Sequence, residues 1–563
     1  MKIVVLSGGS GNDAMVKGLN SLNLGGGLFD LKVIVNAYDN GKSTGVCRAV
    51  TNTLGVSDIR KNHSRMYQAV YGENVDENIM EFYDGRFNLE KGREVETVKN
   101  YLSKWGMEEY SRYADEFFAH SNAYDYDYKN FSVSNIIYSQ MYEEHGYEYT
   151  NKHFCDKLGI DDFVVLNSFD NVFIKAQTES GHIIEDEGET VFWNNPSDKI
   201  VKTIYDVHSS VGLNPVAVNL IENADLIIIS TGTFYSSLQP TIEYLDFYKY
   251  INASNAKKIW VMNNEEDGDS FGVSDLDLVA AMERTGLDLD SFVILVNDDA
   301  KSTMKQADGK HNFVSMPMGN VDGKHDARKY AVALLRIYYG LDKPIDKILF
   351  DFDDTIYSRS SAEEDVSVEN VKLLNSIADK SVIVSGNSYR SIRNKLSKIY
   401  GPGLEGWNVE VWADANSILF RNDEQMQIIE KHVIRGDIES QLTAFIGKHG
   451  LKTEAVGGER TVNYKIKPLS QDQREKFVRL LNKEFGRVVK AKMTGKTTVD
   501  IVSLDNDKES VFDVCNFQSL NTLYVGDEVQ HGNDVRIANR CNAVIRVSSV
   551  NETNIILKLL SEK

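Results

Sequence analysis

Two carboxylates two residues apart, Asp351 and Asp353, follow the apolar run KILF in Asp351-Phe352-Asp353-Asp354-Thr355. Where a strand ends and the chain leaves the pleat, such a pair can share one site. One carboxylate can attack phosphorus while the other handles the leaving group's proton. Further along come Ser385 at the end of VIVS, then Lys508, then Gly526-Asp527 at the end of TLYV, then Asn533-Asp534. Ligands of open α/β sheets bind outside the carboxyl ends of strands, which is where these residues fall. A second constellation opens the chain. Ser7-Gly8-Gly9-Ser10-Gly11-Asn12 stands between the strand-like KIVVL and the helix-like AMVKGLNSL. Glycines at such a turn let backbone N–H groups approach a phosphate at a helix N-terminus. The GKST at 41–44 is not a phosphate loop of the Walker type, because it lacks that motif's first glycine upstream.

The elements that must position these residues are short β-branched runs alternating with helical spacing. KIVVL at 2–6, LKVIVN at 31–36, ADLIIIS at 224–230, KKIWVMN at 257–263 and SFVILVN at 291–297 are near-continuously apolar, as strands covered on both faces are. The alternation predicts an α/β fold. It restarts after GLDKPID (340–346) with KILF, SVIVS and NTLYV, so a first domain over 1–343 and a second over 344–563 are expected. Residues 60–130 have helical spacing and many tyrosines (Tyr101, Tyr110, Tyr113, Tyr124, Tyr126, Tyr128), which reads as a helical insertion packed by aromatics or as a lid. Residues 390–495 read as a small α+β cap inserted into the second domain.

Composition bounds the function. With 62 Lys+Arg against 83 Asp+Glu in 563 residues the net charge is −21, which argues against a nucleic-acid partner. Anionic ligands would have to meet a local device, a metal or a helix N-terminus. The four cysteines, Cys47, Cys155, Cys515 and Cys541, form no CxxC pair, so a reducing cytoplasm is expected rather than disulfides or a zinc cluster. No run approaches the ~20 apolar residues of a membrane span, and the apolar start is too short for a signal peptide.

In this order the second set of motifs resembles the haloacid dehalogenase (HAD) superfamily over 345–563. DFDDT matches its first motif, VIVSGNS its second, Lys508 its third and GDEVQHGND its fourth. The resemblance implies a HAD-type Rossmannoid domain. Asp351 would be the nucleophile that becomes an aspartyl phosphate, Asp353 the general acid/base, and Ser385 and Lys508 the ligands of the phosphoryl oxygens. It implies Mg²⁺ held by the Asp351 side chain, the Asp353 carbonyl and Asp527, with Asp534 supporting. The cap position is similar to the type found in sucrose-phosphate phosphatase and phosphomannomutase. GGERTVNYKIK (457–467) would then be a substrate-contact strand through Arg460, Asn463 and Lys465.

The first domain, over roughly 1–335, resembles the family joining 2-phospho-L-lactate transferase (CofD) to the gluconeogenesis factor (YvcK). The likeness rests on SGGSGN, NAYDNGKSTGVCR (36–48), LGVSDIR (54–60), FSVSN (131–135), IKAQTESGHIIEDEGE (174–189), NADLIIISTGTFYSSLQP (223–240) and KHDARKYA (324–331). It implies a Rossmann-like parallel-sheet domain that binds a nucleoside diphosphate linked to an acid or sugar. The candidate ligand-binding positions it implies are Gly8, Gly9, Ser10, Gly11, Asn12, Asp39, Lys42, Asp58, Arg60, Asn135, Gly232, Thr233 and Tyr235. Asn40 and Lys42 depart from the family's second Asp and a Gly. The segment Gly232–Pro240 is closer to the gluconeogenesis-factor branch, which favours a nucleotide-sugar-like ligand. Helix N-termini after Ser7–Asn12 and Thr231–Thr233 are expected to hold phosphate. Family members often pair, so a homodimer is expected.

Three readings of the whole chain follow. It is a bifunctional enzyme, with a phospho-group transferase first and a phosphatase for a small phosphorylated metabolite, a sugar phosphate, second. Alternatively the first domain senses a nucleotide sugar without turnover, or the HAD-like domain is a phosphomutase.

Overall fold

The apolar β-branched runs become the strands of two sheets in a computed structural model of the chain. It describes residues 1–9, 11–22, 28–121, 126–298, 309–319, 324–414, 416–421, 427–451, 453–456, 463–466, 470–494, 498–530 and 534–562. The chain divides into two compact units, Met1–Tyr338 and Tyr339–Lys563.

In the first unit seven strands lie in the order Asn312–Met316, Phe292–Asn297, Lys257–Val261, Leu226–Ile229, Lys2–Leu6, Asp30–Val35, Val164–Leu166. Every neighbouring pair is parallel. The expected Rossmann-like sheet is what forms. Ile3, Val5, Ile34, Ile227 and Ile259 are fully buried, so helices cover both faces as the continuous apolar runs require. Lys2–Leu6 sits where the order of connection reverses, between Asp30–Val35 and Leu226–Ile229, and such a switch point opens a crevice at the carboxyl ends.

The helical excursion is longer than the expected 60–130. Helices Lys42–Thr51, Ser57–Tyr71, Glu77–Asp84, Glu94–Lys104, Ser111–Ser121, Val133–His145 and Tyr147–Leu158 all lie between two adjacent strands. Their aromatics pack: Tyr138 stacks on Phe154 at 3.8 Å and Tyr101 on Trp105 at 5.4 Å between ring centroids. A three-stranded antiparallel sheet of Asn171–Thr178, Ile183–Ile184 and Ile200–Ser209 carries the 174–189 motif.

The second unit has a seven-stranded sheet in the order Gln427–Ile428, Ile418–Phe420, Glu410–Ala413, Ser381–Val384, Lys347–Phe350, Thr522–Gly526, Ala543–Arg546. It is parallel from Glu410–Ala413 onward and antiparallel at its first two strands. The inserted α+β part is a four-stranded antiparallel sheet of Thr453–Val456, Asn463–Ile466, Thr498–Ser503 and Val489–Thr494. Helices Gly436–Lys448 and Gln471–Phe485 bury Leu442, Phe445, Phe477 and Leu481 against Tyr464, Ile466, Val499 and Ile501. This corrects the expected cap range of 390–495. Glu410–Ala413 and Ile418–Phe420 pair into the main sheet, and the last cap strand runs on to Ser503. Short apolar runs do not reveal which sheet they join; hydrogen-bond pairing decides it. Among the described residues no helix is long and apolar enough to cross a membrane.

Candidate functional sites

In the second unit Phe350 lies in register with Ile383 and Val525. Asp351, then Ser385 and Asp527, therefore leave the sheet along one edge. Asp351 is 8 % exposed and Asp534 is fully buried. Lys508 Nζ bridges them, 2.7 Å from Asp351 Oδ1 and 2.5 Å from Asp534 Oδ1. The turn carrying Lys508 is held from behind by Asn416, whose amide donates to the carbonyls of Asp507 and Lys508. One oxygen each of Asp351, Asp527 and Asp534 lies within 4.8 Å of the others.

Burial pushes Asp351 up to about 7; Lys508 pulls against this, and Asp534 and Asp527 add to it. Asp527 is raised by burial and by the neighbouring Asp534. Burial opposes the charge on Lys508, but Asp351 and Asp534 outweigh it and hold the ammonium above its usual range. Three carboxylates against one ammonium leave excess negative charge on hard oxygens at short spacing. That donor set fits Mg²⁺. A divalent cation there would offset the repulsion and polarise a phosphoryl oxygen.

Ser385 is 2 % exposed, and its Oγ accepts from the Asn387 N–H at 3.1 Å. The Asp353 side chain is not part of the carboxylate cluster. Its Oδ1 accepts from Lys395 Nζ at 2.7 Å and its Oδ2 from the Asn387 amide. Asn387 lies inside the VIVSGNS motif and could have been singled out there; Lys395 carries no sequence signal, since only helix packing brings it in. Asn533 and Arg460, and the side chain of Lys465, lie outside the described residues, while Asn463 is buried.

In the first unit Leu6 is in register with Ile34 and Ile229, so the loops after all three strands converge. They enclose a cleft of about 280 Å³ lined by Gly8, Gly9, Gly11, Asp39, Lys42, Asp58, Gly232 and Thr233. Ser43, Lys61, Arg86, Glu187, Phe192, Ser236 and Ser237 also line it and were not anticipated. Gly11 is required by close approach: a Cβ there would stand 1.9 Å from the Thr231 carbonyl oxygen. Lys42 Nζ lies 4.6 Å from the centroid of the Phe192 ring. Burial, with Asp39 beside it, pushes Glu187 well above the usual carboxyl range. Burial also raises Asp58, against the pull of Lys61.

Ser10 lies outside the described residues. Asn12, Arg60, Asn135 and Tyr235, expected as ligand contacts, do not line the cleft but are buried behind it. Arg60 Nε donates to Asn135 Oδ1 at 2.9 Å, and Asn135 donates to Thr44 Oγ1 at 3.2 Å. Thr44 donates to Asp39 at 3.1 Å, so this chain of bonds fixes the Asp39 loop. Asn12 donates to Asn62 Oδ1 at 2.7 Å, and the Asn62 amide donates to the Gly8 carbonyl at 3.1 Å. Tyr235 packs into the apolar core.

The expectation of a free helix N-terminus after Thr231–Thr233 is also corrected. Asp269, 1 % exposed, accepts from the backbone N–H groups of Phe234 at 3.3 Å, Tyr235 at 2.9 Å and Ser236 at 3.1 Å. An internal carboxylate thus takes the donors a phosphate would need. What the turn presents instead is hydroxyls, with Ser236 donating to Thr233 at 2.7 Å and Thr233 to Ser237 at 2.9 Å. Beyond Gly232 a second cavity of about 420 Å³ opens, lined by Trp260, Met262, Asn264, Ser274 and Leu278 among others.

The family described as "2-phospho-L-lactate transferase CofD" matches residues 3–335. The "Gluconeogenesis factor" of Listeria monocytogenes is 23 % identical over 263 residues, 46 % of this chain and 66 % of that protein. The chain therefore spans just under two-thirds of that relative's length. A Bacillus halodurans protein of the UPF0052 family is similar in structure, with 18 % identity over 59 % of this chain and 98 % of that one, at a TM-score of 0.44. A haloacid dehalogenase-like hydrolase from Bacteroides thetaiotaomicron shares 12 % identity over 37 % of this chain and 92 % of its own, at a TM-score of 0.29.

Proposed function

The chain belongs, through residues 3–335, to the 2-phospho-L-lactate transferase CofD family, and on that premise we propose a two-site protein. The first unit binds a nucleoside-diphosphate conjugate, nucleotide-sugar-like in class. The second is a Mg²⁺-dependent phosphatase for a small phosphorylated metabolite, a sugar phosphate. The observation that carries the phosphatase reading is the cluster of Asp351, Asp527 and Asp534 oxygens within 4.8 Å, with Lys508 bridging two of them.

Asp351 attacks phosphorus in line, the bond to the leaving oxygen breaks, and that oxygen takes a proton from Asp353. Water then attacks the aspartyl phosphate, giving its proton to Asp353, and the bond to Asp351 breaks to release phosphate. Ser385 and Lys508 hold the phosphoryl oxygens through both steps. In the first unit the cleft at Gly8–Gly11 takes the diphosphate, with Lys42, Lys61 and Arg86 supplying charge, and the cavity by Trp260 takes the nucleoside.

A second reading, a sensor without turnover, is favoured by Asn40. Its side chain, standing where the family has a second Asp, accepts from the Glu187 backbone N–H at 3.2 Å and serves the loop.

The test uses the full chain. Phosphate release from a sugar-phosphate panel should require Mg²⁺ and vanish in Asp351→Asn; release that persists in that variant overturns the nucleophile assignment. Thermal shift with nucleotides and nucleotide sugars should raise the first unit's transition, and no shift with any of them overturns the ligand class.

A further inference from the structure

Asp353 is gripped by both of its oxygens. Lys395 Nζ donates to Oδ1 at 2.7 Å and the Asn387 amide donates to Oδ2. Lys395 is itself fixed. Its ammonium lies 4.9 Å from the ring centroid of Tyr357 and 5.2 Å from that of Phe352, and both rings are buried. A cation over two aromatic faces loses the freedom a surface lysine has. Its helix, Tyr389–Tyr400, begins at Ser388, whose side chain accepts from the Ser391 N–H, and it buries Ile392 and Leu396 completely. Those two residues set the helix rotation that turns Lys395 toward Asp353. The other nearby cation, Arg359, is a weaker claimant. It stands 3.8 Å from Asp353 Oδ2 with a 70 % exposed side chain and pairs at 3.0 Å with Asp354. Exposed pairs of that kind contribute about 0–1 kcal/mol.

We propose that Lys395, acting with Asn387, is the positioning residue of the leaving-group step, an inference that rests on the phosphatase reading above. Each Asp353 oxygen keeps a second lone pair for the proton it passes. The two donors fix the plane of the carboxyl, and with it the direction in which the proton travels. In the first half-reaction the bond from phosphorus to the leaving oxygen breaks, its electron pair stays on that oxygen, and the proton comes from Asp353. In the second, water gives a proton back to Asp353 as its oxygen bonds to phosphorus and Asp351 is released. The sum is phosphate ester plus water giving alcohol plus phosphate. An alkoxide leaves badly without that proton, whereas nitrophenolate leaves well without it. The grip on Asp353 therefore matters to the class of substrate whose leaving group is an aliphatic hydroxyl.

The test compares glycerol 2-phosphate with p-nitrophenyl phosphate, using the full chain with Mg²⁺. Lys395→Met should lower kcat/KM on glycerol 2-phosphate, which reports the first half-reaction, by about tenfold to a hundredfold, part of the ~10²–10⁴-fold that general acid catalysis supplies. On p-nitrophenyl phosphate the loss of kcat/KM should stay at about twofold, since the attack of water, which also uses Asp353, falls outside that ratio. Lys395→Arg should recover most of the loss, and Asn387→Ala should repeat the leaving-group dependence. Equal losses of kcat/KM on both substrates overturn the positioning role and leave the phosphatase reading standing. Turnover untouched by Asp351→Asn overturns that reading and this inference with it.

Discussion

Replacing Asp269 by Asn separates the electrostatic role of this carboxylate from its role as an acceptor. Asp269 is buried beneath the turn at Phe234–Ser236, and burial, with Asp267 nearby, pushes it from 3.8 up to about 7 against three backbone hydrogen bonds. Between those two values the folded chain holds a proton that the unfolded chain has released. Stability therefore falls as pH rises, by up to about 1.4 kcal/mol per unit. Over about three units the loss is roughly 4 kcal/mol, all of it present above pH 7. Asn carries no charge at any pH, so that slope disappears from the variant. It offers one oxygen, enough for the N–H groups of Tyr235 and Ser236, and turns an NH₂ toward Phe234 N–H, which costs about 1–2 kcal/mol. The two curves should therefore cross. By pH 5 wild type has already lost about 1–2 kcal/mol of this term, so Asp269→Asn should be about level with it there and more stable at pH 8 by about 2–3 kcal/mol. Calorimetry of the full chain from pH 5 to 8, following the first unit's transition, should show the two proteins melting close together at pH 5 and the variant melting a few degrees higher at pH 8. Asp267, pushed by burial up to about 6, leaves a shallower slope of the same sign in both proteins. Parallel curves would mean that Asp269 takes up no extra proton on folding.

Arg48, pushed by burial down to about 10, donates to the carbonyls of Tyr38 and Asp39 at 3.0 Å each, to Asn171 at 2.6 Å and to Val172 at 2.7 Å. Arg48→Met should cost about 3–5 kcal/mol in urea unfolding, through orphaned buried carbonyls. Gly11→Ala would press a methyl onto the Thr231 carbonyl; thermal shift should show lost nucleotide response and a lower melting temperature. Asp527→Asn removes one of the three clustered carboxylates, and titration of activity with Mg²⁺ should show its requirement raised on the order of tenfold or more. Lys508→Met leaves Asp351 and Asp534 buried without their cation, so the second unit should lose about 3–5 kcal/mol in urea unfolding.

Much of the fold was written in short-range pattern. KIVVL, ADLIIIS, KILF and TLYV are continuous because both faces of each strand are covered, and all four form central strands. The same property hid the edges. Val164–Leu166, Asn312–Met316 and the 410–428 strands are short, and only pairing assigns them to a sheet. Among the site residues, Asp351, Ser385 and Asp527 were legible because strand ends converge in any parallel sheet. Asn12, Arg60 and Asn135 were misplaced because a motif does not say whether a polar side chain faces the ligand or braces the loop that does. Asp269, Asn416 and Lys395 had no signal at all. Each acts on a partner far away in sequence, and only the packed structure brings them together.

In the phosphatase proposed above, Asp351 carries the phosphoryl group during turnover. The full chain would be mixed with p-nitrophenyl phosphate and Mg²⁺, quenched within one turnover and reduced with borohydride. Peptide mass spectrometry would then locate the reduced acyl phosphate as homoserine. Homoserine is expected at position 351, and is absent without Mg²⁺. Steady phosphate release with no modification at Asp351, or with the modification at another carboxylate, would contradict it.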